Sequence, residues 1–423
     1  MAKNNLIRVG MYDWEIGRLG FDEKKDISYF QYNPEFLKSN QMTNLFPVRG
    51  IIKRMDEVQV FKNFRGEIFR SLPPPIADSL PDMFGNIIFR EWLGANNKDL
   101  KDITIIEQLA YVANRGMGAL EYSPAKAIPK GTTINMEEIV DILKKVIDIK
   151  GDITSPRLDH KSLLNVFKIG SSAGGARPKI LISENRETGK IIPGDVNYSA
   201  SYNHFLVKLD LSDVPYSREI IEYCYFLTAK NLGLDMMHSF LIEGKHFATT
   251  RFDRIDGQKK HILTVSGLTG WDFKTADNSS YENVFSLATY LKVPHTQVEE
   301  LFARMVFNVV FHNTDDHLKN HSFVYDKNMD AWNLSPFYDV TYSLNPLINY
   351  SKSFRALSIN GKRSDITLSD IMTIADKYAI KEAKGIIERT NNSIDFWVEI
   401  AHKNGIPEKI IRRIENDFYP IDL

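Results

Sequence analysis

Apolar residues at helical spacing, Val298, Leu301, Phe302, Met305, Val306 and Val309, run without proline or glycine and predict a buried helix. Beyond it the period shortens. Residues 322–325 and 331–334 are largely apolar and flank the polar run 326–330, which predicts strand, turn and strand. Upstream, residues 166–169, 180–182 and 204–209 have strand character. Residues 217–231 have helix character, with Glu219 and Glu222 early and Leu232-Gly233 at the close.

The region from Leu6 to about Ile68 alternates strands and turns, with Asp13-Trp14-Glu15 at a hairpin tip, until Ser71-Leu72-Pro73-Pro74-Pro75 breaks the pattern. Helices are expected at 83–93, 103–114 and 136–149, the last placing Ile139, Leu143, Val146 and Ile147 on one face. Residues 151–156 are the best linker, and the chain from Leu368 onward is again helical, with no internal repeat. The order is a strand-rich part, a hinge and a mainly helical part.

Composition narrows this little. At 423 residues and 43% apolar the chain can bury a large core and divide into two or three subdomains. A formal charge of −1 gives no global attraction to nucleic acid. Lys352, Arg355, Lys362 and Arg363 form a local basic stretch that reads as solvated surface. One cysteine excludes an internal disulfide framework and fits a reducing compartment. Met1 to Gly10 has no apolar signal core and no apolar run reaches the ~20 residues of a membrane helix, so a cytoplasmic protein without membrane contact is expected.

The chemistry lies between the helix and the hairpin. Asp315-Asp316-His317-Leu318-Lys319-Asn320 puts an aspartate five residues before an asparagine, and the hairpin would fold Asp339 back towards Asn320. A carboxylate at Asp315 could deprotonate an attacking hydroxyl while Asn320 and Asp339 offer oxygen ligands to Mg2+. Two other readings of the segment stay open: a zinc site built from His312, His317 and His321, and a polar loop capping a helix.

A phosphotransferase also needs an anion cradle. Gly170 to Lys179 supplies small residues that let backbone N–H groups approach phosphate, with Arg177 and Lys179 adding charge, though without Walker A spacing. Lys208 sits in the apolar run 204–209, where it faces either a nucleotide phosphate or water from a sheet edge. Glu219 could pair with Lys208 or simply complement its own helix dipole.

Taken together, Ser171-Ser172-Ala173-Gly174-Gly175-Ala176-Arg177-Pro178-Lys179, the Lys208 strand, Arg251-Phe252-Asp253-Arg254, the Asp315-to-Asn320 motif and Ser335-Pro336-Phe337-Tyr338-Asp339 resemble the HipA family of bacterial serine/threonine kinases, toxins of type II toxin–antitoxin modules. Gly17-Arg18-Leu19-Gly20, Phe30-Gln31-Tyr32 and Ser79-Leu80-Pro81-Asp82 resemble that family's first subdomain, so the likeness spans nearly the whole chain.

The resemblance implies an α+β, two-lobed protein-kinase-like fold: an N-terminal subdomain at 1–120, the rest of a strand-rich N-lobe at 121–252 and a mostly helical C-lobe at 253–423. By position it implies Asp315 as proton acceptor and Asn320 and Asp339 as Mg2+ ligands. ATP would be held by Gly174, Gly175, Ala176, Arg177, Pro178, Lys179 and Lys208, by Thr250, Arg251 and Phe252 at the hinge, and by His317, Leu318, Lys319, Asn320, Tyr338 and Asp339. Ser172, or the adjacent Ser171, matches a loop serine that autophosphorylates in some members. Asp316 adds a carboxylate beside the base, which would either raise a neighbouring pKa or point to water.

The expected partners are a HipB-like helix-turn-helix antitoxin that carries most operator DNA contacts, and a protein substrate such as an aminoacyl-tRNA synthetase or another translation factor. Two rivals remain: a phosphoinositide-type kinase, which shares Asp-x-His-x-x-Asn, and a catalytically silent co-repressor that acts through its antitoxin.

Overall fold

Alternation in Leu6–Met11 is strict, with Ile7, Val9 and Met11 buried, and it builds the first strand of the protein. The structure is a computed structural model that describes residues 5–48, 50–80, 89–90, 93–94, 99–126, 137, 139–141, 177–194, 199–211 and 214–423. It divides into two units: residues 1–211, 248–263 and 267–270, and residues 212–247, 264–266 and 271–423. The expected helices at 83–93 and 136–149 fall mostly, and the strand at 166–169, the linker at 151–156 and the Gly-rich turn at 170–176 wholly, outside the described residues.

In the first unit β1 (Leu6–Met11), β2 (Trp14–Asp22), β3 (Ile27–Tyr32), β4 (Gln59–Phe61) and β5 (Glu121–Ser123) form a sheet in the order β4-β3-β2-β1-β5. The first hairpin turns at Tyr12-Asp13, both at positive φ, and Trp14 already belongs to β2. The tip thus lies earlier than expected, because a two-residue turn with both φ positive matches the twist of its strands. A Cβ at Gly17 would collide with the Gln31 carbonyl and the Phe30 ring, so the β2–β3 approach requires glycine. Helix α1 (Pro34–Lys38) seats Phe36 against Trp14 and Tyr32, at ring separations of 5.9 and 6.1 Å. The proline break ends in α2 (Pro74–Ala77), which begins with proline at the position where a helix needs no N–H. Helix α3 (Ile105–Val112) starts at a capping box, Thr104 with Glu107.

A second sheet contains β6 (Lys179–Asn185), β7 (Ile191–Pro193), β8 (Tyr202–Lys208) and β9 (His246–Thr250), with β7 beside β6, β6 beside β8 and β8 beside β9. Beyond β9, Asp253 is fully buried and accepts from Arg251 Nε (2.9 Å), Arg251 Nη2 (2.8 Å), Arg254 Nη1 (2.8 Å) and the Gly118 N–H (2.9 Å). Burial opposes its charge, yet the two guanidiniums hold its carboxyl well below the usual carboxylate range. The Arg-Phe-Asp-Arg motif is therefore a clasp that ties residues 116–118 to residues 251–254.

The second unit contains α4 (Arg218–Asn231), α5 (Tyr281–Tyr290), α6 (His295–Val310), the hairpin β10 (Ser322–Asp326) and β11 (Ala331–Leu334), then α7 (Leu368–Lys377), α8 (Ala383–Asn392), α9 (Ile394–Lys403) and α10 (Glu408–Glu415). Ser217 caps α4 by accepting from the Ile220 N–H, and the helix stops at Leu232-Gly233 as its residues predict. Tyr225 lies at the centre of an aromatic cluster with Phe307, Phe311, Trp397 and Phe418, and its hydroxyl donates to the Phe311 carbonyl at 2.6 Å. That cluster fixes the C-terminal end of α6, from which the candidate site begins.

Two histidines of the first unit are buried in neutral form. His261 is pushed down to about 3 by burial, and His204 to about 4 by burial and then by Arg251 and Arg254. Unfolded, each binds a proton below its ordinary value of 6.5, so their contribution to stability is full above pH 6.5 and is lost as pH falls. Urea unfolding at pH 7, 6 and 5 should show stability falling, by at most about 1.4 kcal/mol per pH unit per histidine. His261→Phe should make that slope shallower; an unchanged slope would contradict the assignment.

Candidate functional site

Helix α6 ends at Val310 with Phe311 as its cap, and His312 at φ 52° turns the chain out of the helix. Asn313 and Thr314 are buried, and from Thr314 onward burial alternates: Asp315 is exposed, Asp316 is buried and His317 is partly covered. The Asp315 side chain is 66% exposed, whereas that of Asp316 is fully buried. Residues Leu318–Asn320 form one 3-10 turn, and Asn320 Nδ2 donates back to the Asp315 carbonyl at 2.7 Å. That bond closes the loop and leaves Asn320 Oδ1 as the oxygen of its side chain suited to a cation.

The hairpin returns the chain as its pattern predicts, with Phe323 opposite Leu334 and Tyr325 opposite Trp332. Ser335 continues the pairing: its N–H donates to the Ser322 carbonyl at 3.0 Å and its hydroxyl accepts from Ser322 Oγ at 3.0 Å. The Tyr338 hydroxyl then donates to the Lys319 carbonyl at 2.9 Å. The residue before Asp339 thus touches the residue before Asn320. Asp339 itself sits at φ 55°, a conformation that aspartate tolerates better than most and that is common at functional sites.

Arg304 holds this return segment from below. It is buried in α6, donates through Nε to Glu300 at 2.8 Å and through Nη1 to the Ser335 carbonyl at 2.8 Å, and lies over the Phe337 ring at 5.3 Å. The Phe337 N–H donates to the Asp235 carbonyl at 2.7 Å. Burial draws the Arg304 pKa down while Glu300 supports the charge.

Asp316 organises the underside of the loop. Its Oδ2 accepts from Arg355 Nη2 (2.7 Å), Arg355 Nε (3.2 Å) and the Tyr281 hydroxyl (2.8 Å), and its Oδ1 from the N–H groups of Ala356 (3.1 Å) and Leu357 (3.2 Å). Tyr281 in turn accepts from Asn308 Nδ2 at 2.9 Å, and Asn308 from Asn313 Nδ2 at 2.9 Å. Burial and then the Asp316 charge push the Tyr281 hydroxyl well above its ordinary value. Burial works most strongly against the Arg355 charge, but Asp316 and Tyr281 together outweigh it and the net direction is upward. Asp316 therefore does not point to water.

The basic stretch is solvated only in part: Lys352 and Lys362 are exposed, whereas Arg355 is buried and Arg363 half-buried. Arg355 is buried on Asp316, Lys362 pairs with Asp370 at 2.8 Å, Lys352 pairs with Asp365 at 2.8 Å, and Arg363 donates to the carbonyls of Ser279 and Ala356. Arg355 and Arg363 hold the fold of their own unit, while Lys352 and Lys362 are exposed side chains that pair with acids.

The three histidines do not converge on a metal. His312 Nε2 bonds Ser353 Oγ at 2.7 Å, and His321 is buried with Nε2 3.3 Å from the Asp316 carbonyl and is pushed down to about 4 by burial. His317 packs on Phe273 at 4.7 Å, over whose ring Lys319 Nζ also lies at 5.6 Å. Among the described residues no cluster of three His, Cys, Asp or Glu side chains could hold a metal ion. Asn320 Oδ1 and the Asp339 carboxylate are hard oxygen donors, which suits Mg2+ completed by phosphate and water better than zinc.

In the first unit Lys179 and Lys208 stand directly opposite each other on β6 and β8, and both are buried. Directly paired residues share one face of a sheet. Two buried ammoniums on one face are costly to desolvate and require negative or hydrogen-bonding partners, and each makes further interactions within the protein. Arg177 and Pro178 precede them, half-buried. Thr250 and Phe252 are half-buried, while the Arg251 guanidinium is committed to Asp253 and its N–H donates to the His204 carbonyl at 2.8 Å. Ser171, Ser172, Gly174, Gly175 and Ala176 lie outside the described residues.

The motif reading missed Tyr281, Arg304, Asn308, Asn313 and Arg355. One signal was present: Glu300, Arg304 and Asn308 recur every four residues, a polar stripe that runs on into the apolar C-terminal half of the helix.

A family model described as the HipA-like C-terminal domain matches residues 171–397, and one described as the HipA N-terminal domain matches residues 7–123. A Haemophilus influenzae protein described as a candidate kinase is 30% identical over 188 residues, 40% of this chain and 52% of that protein. The chain thus spans about half the length of that curated relative. Among solved structures, the Shewanella oneidensis HipA, determined with HipB and its operator DNA, is similar over 97% of this chain and 95% of its own, at 16% identity and a TM-score of 0.65. The Helicobacter pylori proinflammatory kinase CtkA is a weaker likeness: 14% identity, 51% of this chain, 85% of the other and a TM-score of 0.38. The fold is α+β and kinase-like, with a strand-rich N-terminal region and a helical C-terminal region.

Arg304→Met keeps the volume but strands the Ser335 carbonyl and Glu300. Chemical unfolding should show a loss on the order of 3 kcal/mol. A loss below about 1 kcal/mol, the range of a surface pair, would contradict the role given to this side chain.

Proposed function

The chain belongs to the HipA family, and on that premise we propose that it is an ATP-dependent protein serine/threonine kinase. The observation that carries this is the closure of Asp315, Asn320 and Asp339 into one loop system, by the Asn320–Asp315 bond at 2.7 Å and the Tyr338–Lys319 bond at 2.9 Å. Asp315 is the exposed carboxylate, so it accepts the proton of an incoming hydroxyl. Asn320 and Asp339 would hold Mg2+, which when bound offsets phosphate charge. Lys179 and Lys208, with Arg177 and the glycines before it, bind the phosphates of ATP. Thr250, Arg251 and Phe252 offer backbone groups to the adenine, and Leu318, Lys319, His317 and Tyr338 border the nucleotide.

The same premise assigns the chain a HipB-like antitoxin, through which it would meet operator DNA, and a protein acceptor from translation. Phosphate on Ser172 would place about two negative charges at the phosphate cradle and close the enzyme down. Among the described residues no helix is long and apolar enough to cross a membrane.

Incubation with γ-labelled ATP, Mg2+ and a cell lysate tests the reading. The wild-type protein should label protein, and Asp315→Asn should lose roughly a hundredfold or more of that rate. Equal labelling by both would remove Asp315 from the chemistry. Labelling of phosphoinositide vesicles in place of protein, or no labelling while antitoxin and operator binding persist, would overturn the kinase assignment itself.

A further inference from the structure

Asp315 and Asp316 are adjacent carboxylates with opposite fates, one exposed and one fully buried. The buried one collects partners from separate parts of the chain: Tyr281, Arg355 and the N–H groups of Ala356 and Leu357. The same region closes a second loop. Ser343 Oγ accepts from the Thr314 N–H at 3.3 Å and shares a hydrogen bond with Thr314 Oγ1 at 2.7 Å, and the Ala356 N–H donates to the Thr314 carbonyl at 2.8 Å. Residues 343–356 therefore leave from Thr314 and return to it, the residue immediately before Asp315. Arg355 Nη2 reaches the Asn313 carbonyl as well, at 3.4 Å.

We propose that Asp316 and Arg355 are positioning residues for the phosphoryl-transfer reaction: their buried pair locks residues 313–316 and the 343–356 loop into one piece and thereby fixes the direction in which Asp315 presents its carboxylate. This rests on the kinase reading only in taking Asp315 as the base. A buried ion pair contributes little net stability over an apolar replacement, and what it supplies is a single arrangement. Here five hydrogen bonds converge on one carboxylate, so the backbone that carries Asp315 cannot rotate without breaking several of them together. A base displaced by about 1 Å loses on the order of a hundredfold in rate.

The test uses the full chain with Asp316→Asn, Arg355→Met, Arg355→Lys and, as a variant that keeps its shape and removes one of the five bonds to Asp316 together with the bond from Asn308, Tyr281→Phe. Phosphate transfer to protein is measured for kcat and for the KM of ATP, with hydrogen exchange on the same samples. Asp316→Asn and Arg355→Met should lower kcat about a hundredfold with the KM for ATP within about threefold. Arg355→Lys should recover part of the loss, and Tyr281→Phe should lose only part. Amides at 313–316 and 343–357 should exchange faster, while those of α8, α9 and α10 stay protected.

Unchanged kcat in Asp316→Asn, or activity that falls only in step with the folded fraction, overturns the proposal, as does exchange that rises uniformly or not at all. If the wild-type protein transfers no phosphate, the kinase reading fails separately. In that event local acceleration in Tyr281→Phe and Arg355→Lys still upholds the lock, and its absence refutes it.

Discussion

The second unit is arranged around one buried carboxylate. Leaving Asp316 in the core without partners would cost several kcal/mol, and the protein meets this by bringing Arg355, Tyr281 and two backbone N–H groups to it. Those donors come from α5, from the end of the 343–356 loop and from Leu357 immediately after it. Satisfying one side chain therefore sets the register of three segments. Because successive residues of an extended loop face opposite ways, anchoring Asp316 inward directs Asp315 outward.

A second constraint acts on the return path. Arg304 and the Ser322–Ser335 bonds fix where β11 ends, and the Tyr338 hydroxyl docks on Lys319, so Asp339 arrives beside the turn that holds Asn320. In the first unit the clasp on Asp253 plays the equivalent structural part, and Lys179 and Lys208 lie opposite each other on neighbouring strands.

Much of this was legible in the residues. Helix α4, the helix ending at Val310 and the hairpin that folds Asp339 back follow from apolar period, capping residues and a polar turn, all local signals. The spacing from Asp315 to Asn320 was legible for the same reason. Asp316 was not, because its principal partner lies 39 residues away and nothing local says which of two adjacent carboxylates turns inward. Arg355 was misread as surface for the converse reason: charge in a polar stretch looks solvated until the buried acid it serves is known. The first hairpin tip shifted because Tyr12 accepts a positive φ that its side chain does not advertise.

The central claim is that Asp315, Asn320 and Asp339 divide the work of one site, with Asp316 withheld from it. Anomalous diffraction from crystals grown with Mn2+ and a non-hydrolysable ATP analogue tests this most directly. The account predicts a manganese peak ligated by Asn320 Oδ1 and the Asp339 carboxylate, with Asp315 off the metal and Asp316 still on Arg355. Manganese bound by Asp316, or bound away from Asn320 and Asp339, would contradict it.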